Sequence, residues 1–335
     1  MLRRFRHINL ATLIVLYLLI FLGGIVRSTG AGMGCPDWPR CFDQWVPPTE
    51  VSQLPEDYQQ RYADHGYASM AFNPVKTWTE YINRLFGALT GLFIIATLVA
   101  SWPLRREHPL LFRLSALNLV LVLFQGWLGS VVVRTNLADI VISLHFAVAF
   151  IIVTIASITF WKALLLNFPE EYQLVDNRKG VVRWGLFVMA VTLLQVFLGT
   201  SLRAEVNHAI EVLGPQNPAQ WLSMTGSVFT FHKLWAYATW VVNLLFGLKL
   251  LRTPLQKLDQ VLALGMMVTV SLQAVMGASL AVWDFPAVPQ ALHVMMAALL
   301  FGFQISIVLK HQLRPSTPSE DGLRATPVLI SRQNA

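Results

Sequence analysis

Three histidines sit where the chain otherwise avoids polarity. His145, His232 and His293 each lie near the start of a long apolar stretch, and an ionisable side chain there is a functional residue by default. A lone intramembrane histidine is often a hydrogen-bond bridge between helices. Three at equivalent places are better read as ligands. Zinc or copper would want three or four converging groups, often with carboxylate or thiolate. Two opposed imidazoles suit the axial positions of a haem instead. His232 and His293 make such a pair. No Cys-x-x-Cys-His run occurs, so covalent c-type attachment is excluded. Of the others, His7, His108 and His311 fall at helix edges and need no special role, and His65 and His208 fall in loops.

His145 has no histidine opposite it. The equivalent position is Asn83, and asparagine is not among the usual axial ligands of haem iron. Glu80 lies three residues before Asn83, on the same helix face. A carboxylate at the mouth of a haem pocket could take protons during an oxidation; the plainer alternative is an ion pair with Arg84 or Lys76. Arg27, Arg84, Arg134, Arg203 and Lys233 stand at the same end of the apolar segments, where they could meet haem propionates or simply anchor the headgroup boundary. Cys35 and Cys41 flank a Pro-Asp-Trp-Pro turn. A disulfide is expected if that loop faces an oxidising compartment, and a metal-binding pair is the competing reading.

The elements that must position these residues are membrane helices. Only 13% of the 335 residues are charged and the mean hydropathy is +0.54, against roughly 25% charged in soluble domains. Uncharged runs at 8–26, 85–104, 114–133, 140–161, 184–202, 234–248, 260–283 and 285–309 approach the ~20 residues a helix needs to cross a bilayer core. An all-α integral membrane protein with eight transmembrane helices is expected. The first run begins after Arg3, Arg4 and Arg6 but lacks a small-residue cleavage site, so it reads as a helix and not a signal peptide. With the N-terminus inside, 17 of the 25 Lys and Arg fall on the cytoplasmic side, which places both termini in the cytoplasm. The net charge of +7 is then a topological signal, and nucleic acid is not an expected partner.

The sequence also repeats itself. Gln125 and Gly129, Gln195 and Gly199, and Gln273 and Gly277 recur near the outer ends of the third, fifth and seventh segments, with Gly23-Gly24 a weaker echo in the first. The even segments answer with Asn83, His145, His232 and His293. Two tandem, pseudo-symmetric four-helix bundles follow: residues 1–162, with the outer loop 30–79, and residues 163–314, ahead of a disordered tail at 315–335. Parallel repeats also occur in transporters, but those gather polar groups at the midplane. Here they gather at the outer ends.

Together these features resemble the haem A synthase family over roughly residues 8–310. Residues 23–41, Gly-Gly-Ile-Val-Arg-Ser-Thr-Gly-Ala-Gly-Met-Gly-Cys-Pro-Asp-Trp-Pro-Arg-Cys, look like its first-loop signature, and Glu80-Tyr-Ile-Asn83-Arg84 looks like its Glu-x-x-His-Arg motif with one substitution. The resemblance implies oxidation of the C8 methyl group of haem O to a formyl group, through a hydroxymethyl stage, for cytochrome c oxidase biogenesis. It implies haem b as resident cofactor on His232 and His293. It implies a substrate haem site around His145, Asn83 and Arg84, with Glu80 as the catalytic residue. Its implied setting is the cell inner membrane, with haem O, the bilayer, haem O synthase and oxidase assembly factors as partners, and with a homo-oligomer as a further expectation. Asn83 departs from the family pattern. A five-coordinate substrate haem, a surrogate ligand in His65, or loss of the reaction in this half would each account for it. A non-catalytic di-haem b electron carrier is the rival class; it gives Glu80 and the cysteine loop no particular role.

Overall fold

A computed structural model describes residues 1–167, 178–214, 216, 218–252, 257–283 and 285–312. The expected tail at 315–335 lies outside these residues. Eight long helices account for the apolar runs: α1 (Leu2–Ser28), α2 (Pro74–Ser101), α3 (Pro109–Arg134), α4 (Asp139–Asn167), α5 (Arg178–Leu213), α6 (Ser227–Arg252), α7 (Lys257–Val282) and α8 (Ala287–Gln312). All eight are long and apolar enough to span a membrane, and no strand occurs among the described residues. The chain is an all-α, multi-pass membrane protein.

Local chemistry sets several boundaries. Asn73 caps α2, its side chain accepting from the Lys76 N–H, with Pro74 in the first turn; proline suits that place because its missing donor would have no partner there. Pro109 opens α3 in the same way. The fifth helix runs past the charged Arg203 to Leu213, about three turns beyond the uncharged run. Charge marks where a helix leaves lipid and says nothing of where its hydrogen bonds end.

Helices α1–α4 pack as a closed ring in chain order, and α5–α8 pack as another. The rings join where α1 and α4 lie against α8, which is accordingly the most enclosed helix, with 44% of its central span buried. The junction is close: a side-chain carbon on Gly24 would stand 3.1 Å from the Ala291 Cα. Leu13, Ile94, Leu128 and Ile152 fill the centre of the first ring, and Phe246, Met266, Leu300 and Ile307 that of the second. Large apolar side chains such as Leu92, Val120 and Phe197 point outward, as expected of a surface whose solvent is hydrocarbon.

Polar groups also occupy the ring interiors, away from the loop end. Asn9, Thr12, Thr97, Ser115, Asn118 and Thr159 line one small cavity in the first ring, and Thr12 and Thr97 share a 2.8 Å hydrogen bond. In the second, Gln304 donates to Thr192 at 2.7 Å and Asn243 at 2.8 Å. His311 differs from the expectation of an unremarkable edge residue. It and Lys310 are fully buried and pair with Asp259 at 3.3 and 2.7 Å. The last turn of α8 folds inward against the start of α7, a tertiary contact that helix-edge position does not encode.

Candidate haem sites

Successive membrane helices alternate in direction, so the even helices all begin at the end that carries loop 29–73. His145, His232 and His293 fall within the first two turns of α4, α6 and α8. The histidines therefore share one depth, as the repeat predicts. Within each ring the even helices stand at opposite corners, because each one's neighbours are odd. His232 thus faces His293, and the two are electrostatic neighbours. Asn83 faces His145.

Each odd helix serves the even helix that follows it. The Gln125 amide donates to the His145 carbonyl at 2.9 Å. The Gln195 amide lies 3.2 Å from Nδ1 of His232, and the Gln273 amide lies 3.2 Å from Nε2 of His293. One turn further on, a glycine meets the imidazole. A side-chain carbon on Gly129, Gly199 or Gly277 would lie 3.6, 3.3 or 3.0 Å from Cε1 of His145, His232 or His293. On α1, Gly23 meets Asn83 in the same way, at 3.9 Å. Small residues let helices approach in lipid, and here the approach is onto the ring.

These residues fit a haem. Nδ1 of His145 and of His293 is buried without a hydrogen-bond partner, as is Oδ1 of Asn83. Orphaned polar atoms at such depth are costly unless a ligand satisfies them. The two rings differ below this level. Gly87 and Gly91 follow Asn83 at successive turns of α2, and a side-chain carbon on either would meet nothing within 4 Å. The equivalent positions on α6 hold Ala236 and Trp240, and the Trp240 indole donates to Ser271 on α7 at 3.2 Å. At these two positions the first ring leaves open space where the second carries side chains.

Above that ring, loop 29–73 forms a small lid-shaped core. Phe42 packs edge-on against Tyr58, Tyr62, Tyr67 and Phe72. The Tyr67 hydroxyl donates to the Met33 carbonyl at 2.8 Å, and burial pushes its pKa well above the usual tyrosine value, which keeps it a neutral donor. Cys35 and Cys41 form a disulfide, as the compartment argument expects. Glu80 is 4% exposed and ties this loop to α2. One carboxylate oxygen accepts the Cys35 N–H at 2.8 Å, and the other accepts from Arg84. Arg84 in turn donates to the carbonyls of Cys35, Asp37 and Arg40 at 2.9, 2.6 and 2.9 Å. The ion pair expected as the plain alternative is present, but it is buried beneath the disulfide loop.

Removing the disulfide should therefore loosen what sits over Glu80. A short closed loop of this kind contributes about 2–3 kcal/mol through the unfolded state. The Cys35→Ser/Cys41→Ser protein is expected to lose amide protection across residues 33–45 in hydrogen exchange, with the helices unaffected.

The remaining cations are already engaged. Arg27 reaches Asp139 at 3.4 Å, Arg203 donates to Gln290 at 2.9 Å and Arg134 to Ser130 at 2.6 Å, while Lys233 lies over the Phe229 ring. Nε of Arg27 remains buried without a partner. His65 sits at the loop surface, its Nδ1 2.8 Å from Oδ1 of Asn136 in the α3–α4 turn. Asp139 escapes a search for buried polar residues. It joins the rings by accepting from both Arg27 on α1 and Asn207 on α5, and its sole sequence signal is an acid in the first turn of a helix.

The chain matches the model of a family described as cytochrome oxidase assembly protein over residues 6–305. It is 28% identical to a protein named heme A synthase from Shewanella oneidensis, over 53% of this chain and 51% of that protein. A protein of the same name from Flavobacterium psychrophilum is 26% identical over 55% of this chain and 57% of its own length. The chain thus spans little more than half of these two relatives. A third, from an Exiguobacterium species, is 25% identical over 91% of this chain and 92% of its own.

Proposed function

The chain belongs to the cytochrome oxidase assembly protein family, and from that premise we propose that it is a haem A synthase. It oxidises the C8 methyl group of haem O to a formyl group by way of a hydroxymethyl stage, taking one oxygen atom from water and releasing four protons and four electrons. The electrons pass to an external one-electron acceptor, and the product serves cytochrome c oxidase biogenesis. The observation that carries this reading is the inequality of the rings. One offers two opposed histidines, with Ala236 and Trp240 at the next two turns of α6. The other offers His145 opposite Asn83, with open space at Gly87 and Gly91, beneath a buried carboxylate. A protein that only carried electrons would need the first arrangement and have no use for the second.

In this reading residues 163–314 form the electron-transfer half. His232 and His293 hold haem b there, and the bound haem supplies one-electron transfer. Residues 1–162 form the substrate half. His145 binds the iron of haem O from one side. Asn83, a poor ligand, leaves the other side free, and the space beside Gly87 and Gly91 accommodates bulk that haem b lacks. Glu80 receives protons released as the methyl group is oxidised, since it is the carboxylate held at the mouth of this ring. Arg84 positions Glu80 and fixes the disulfide loop above it. Arg27 and Arg203, at the junction of the rings, are placed to meet propionates. The protein resides in the cell inner membrane with both termini cytoplasmic, which puts the haem mouths and the disulfide on the oxidising side. Haem O synthase and oxidase assembly factors are the partners this reading implies for supply and delivery.

His145→Ala separates the two halves. The variant is expected to retain the haem b spectrum and to form no haem A from haem O. Full synthase activity without His145 would place the substrate site elsewhere.

A further inference from the structure

The repeat contains a residue whose role ligation alone does not explain. Every even helix with a histidine is preceded by an odd helix with a glutamine one turn before the glycine: Gln125 for His145, Gln195 for His232, Gln273 for His293. The exception is as informative. Helix α1 carries Leu19 one turn before Gly23, and its partner helix carries Asn83 in place of histidine. Glutamine and histidine are present together three times and absent together once. Packing against a ring does not require this, since any side chain of that size would fill the space.

The geometry assigns the glutamine to the histidine's second nitrogen. A neutral imidazole that gives one nitrogen to iron carries its proton on the other, and that N–H needs an acceptor. The Gln195 amide meets Nδ1 of His232 and the Gln273 amide meets Nε2 of His293, while the Gln125 amide donates to the His145 backbone carbonyl; in all three sites Oε1 of the glutamine is buried without a partner. In two of them Nδ1 of the histidine is likewise an orphan. A half-turn of the amide exchanges its oxygen and nitrogen at the same place, so Oε1 of Gln195 and of Gln273 can accept from the imidazole nitrogen that the amide now meets, without moving a helix. We propose that Gln195 and Gln273, and Gln125 as their repeat equivalent, are positioning residues that accept the N–H of the histidine nitrogen turned away from iron. Each fixes the tautomer and ring orientation, and each raises the basicity of the nitrogen facing iron. Without such an acceptor a histidine at Asn83 would be a poorer ligand.

This rests on the reading of His232 and His293 as ligands, and the test separates the two claims. Gln273→Met keeps the bulk and removes the acceptor. The purified variant is expected to keep a low-spin haem spectrum but to show an upward shift in the haem midpoint potential, because a less basic imidazole stabilises the ferric state less. Its electron paramagnetic g values should move with the potential. Gln195→Met should repeat the shift through His232 and covers the case in which Gln273→Met does not fold. Unchanged potential and g values in both variants would overturn the positioning role while leaving ligation intact. A full haem complement in His293→Ala would overturn the ligation reading itself. A gain-of-ligand comparison adds an independent check: Asn83→His combined with Leu19→Gln should hold a second low-spin haem more tightly than Asn83→His alone, and equal affinity would count against the proposal.

Discussion

His293→Ala protein is expected to purify with its low-spin haem content at baseline. The expectation follows from geometry at opposite corners of one ring. His232 on α6 and His293 on α8 face each other, and no other imidazole lies at this depth in the second ring among the described residues. The Gln273 amide could not take the place of the lost ligand, since an uncharged carboxamide is not among the usual axial ligands. Removal of the imbedded ring also leaves a void beside Gly277, which already sits close to its edge. Difference spectra of the dithionite-reduced and oxidised protein, with haem extracted and quantified per chain, read the result. His232→Ala should match it. Retention of a bis-imidazole spectrum in either variant would move haem b away from these helices.

Glu80→Gln should slow haem A formation by about 10²–10⁴-fold, the usual contribution of a positioned acid or base, while leaving haem b in place. The substitution is a clean one here. Glutamine retains an oxygen to accept the Cys35 N–H, and Arg84 keeps three backbone carbonyls as partners. The loop and disulfide therefore stay where they are, and what disappears is a group able to hold a proton reversibly. Glu80→Asp should restore part of the rate. Turnover of Glu80→Gln at the wild-type rate, measured with haem O in membranes and quantified by pigment extraction, would reduce Glu80 to a tether for the loop.

Much of this was legible in the sequence because lipid simplifies the code. A bilayer demands long uncharged helices, so eight runs become eight helices, and histidines stand out against them. The Gln-to-Gly repeat in the third, fifth and seventh segments was visible in the sequence, and residues one turn apart share a helix face. Other features were not legible. Lys310 and His311 look like headgroup residues by position, yet they lie buried with Asp259, because burial depends on how the end of α8 meets α7. Asp139 reads as an ordinary first-turn acid, although it ties α1 to α5. Gly87 and Gly91 carry no signal of their own in the sequence. Nothing packs against them, which depends on where the neighbouring helices lie and not on the local sequence.

The central claim is that this chain makes haem A, and a single pigment analysis addresses it. Cells lacking their own haem A synthase, supplied with a haem O source, are made to express the intact chain, and their membrane haems are extracted and resolved. The account predicts that haem A appears and that haem O falls in step. Membranes containing the protein with its haem b intact, but yielding only haems B and O, would contradict it and identify the chain as an electron carrier.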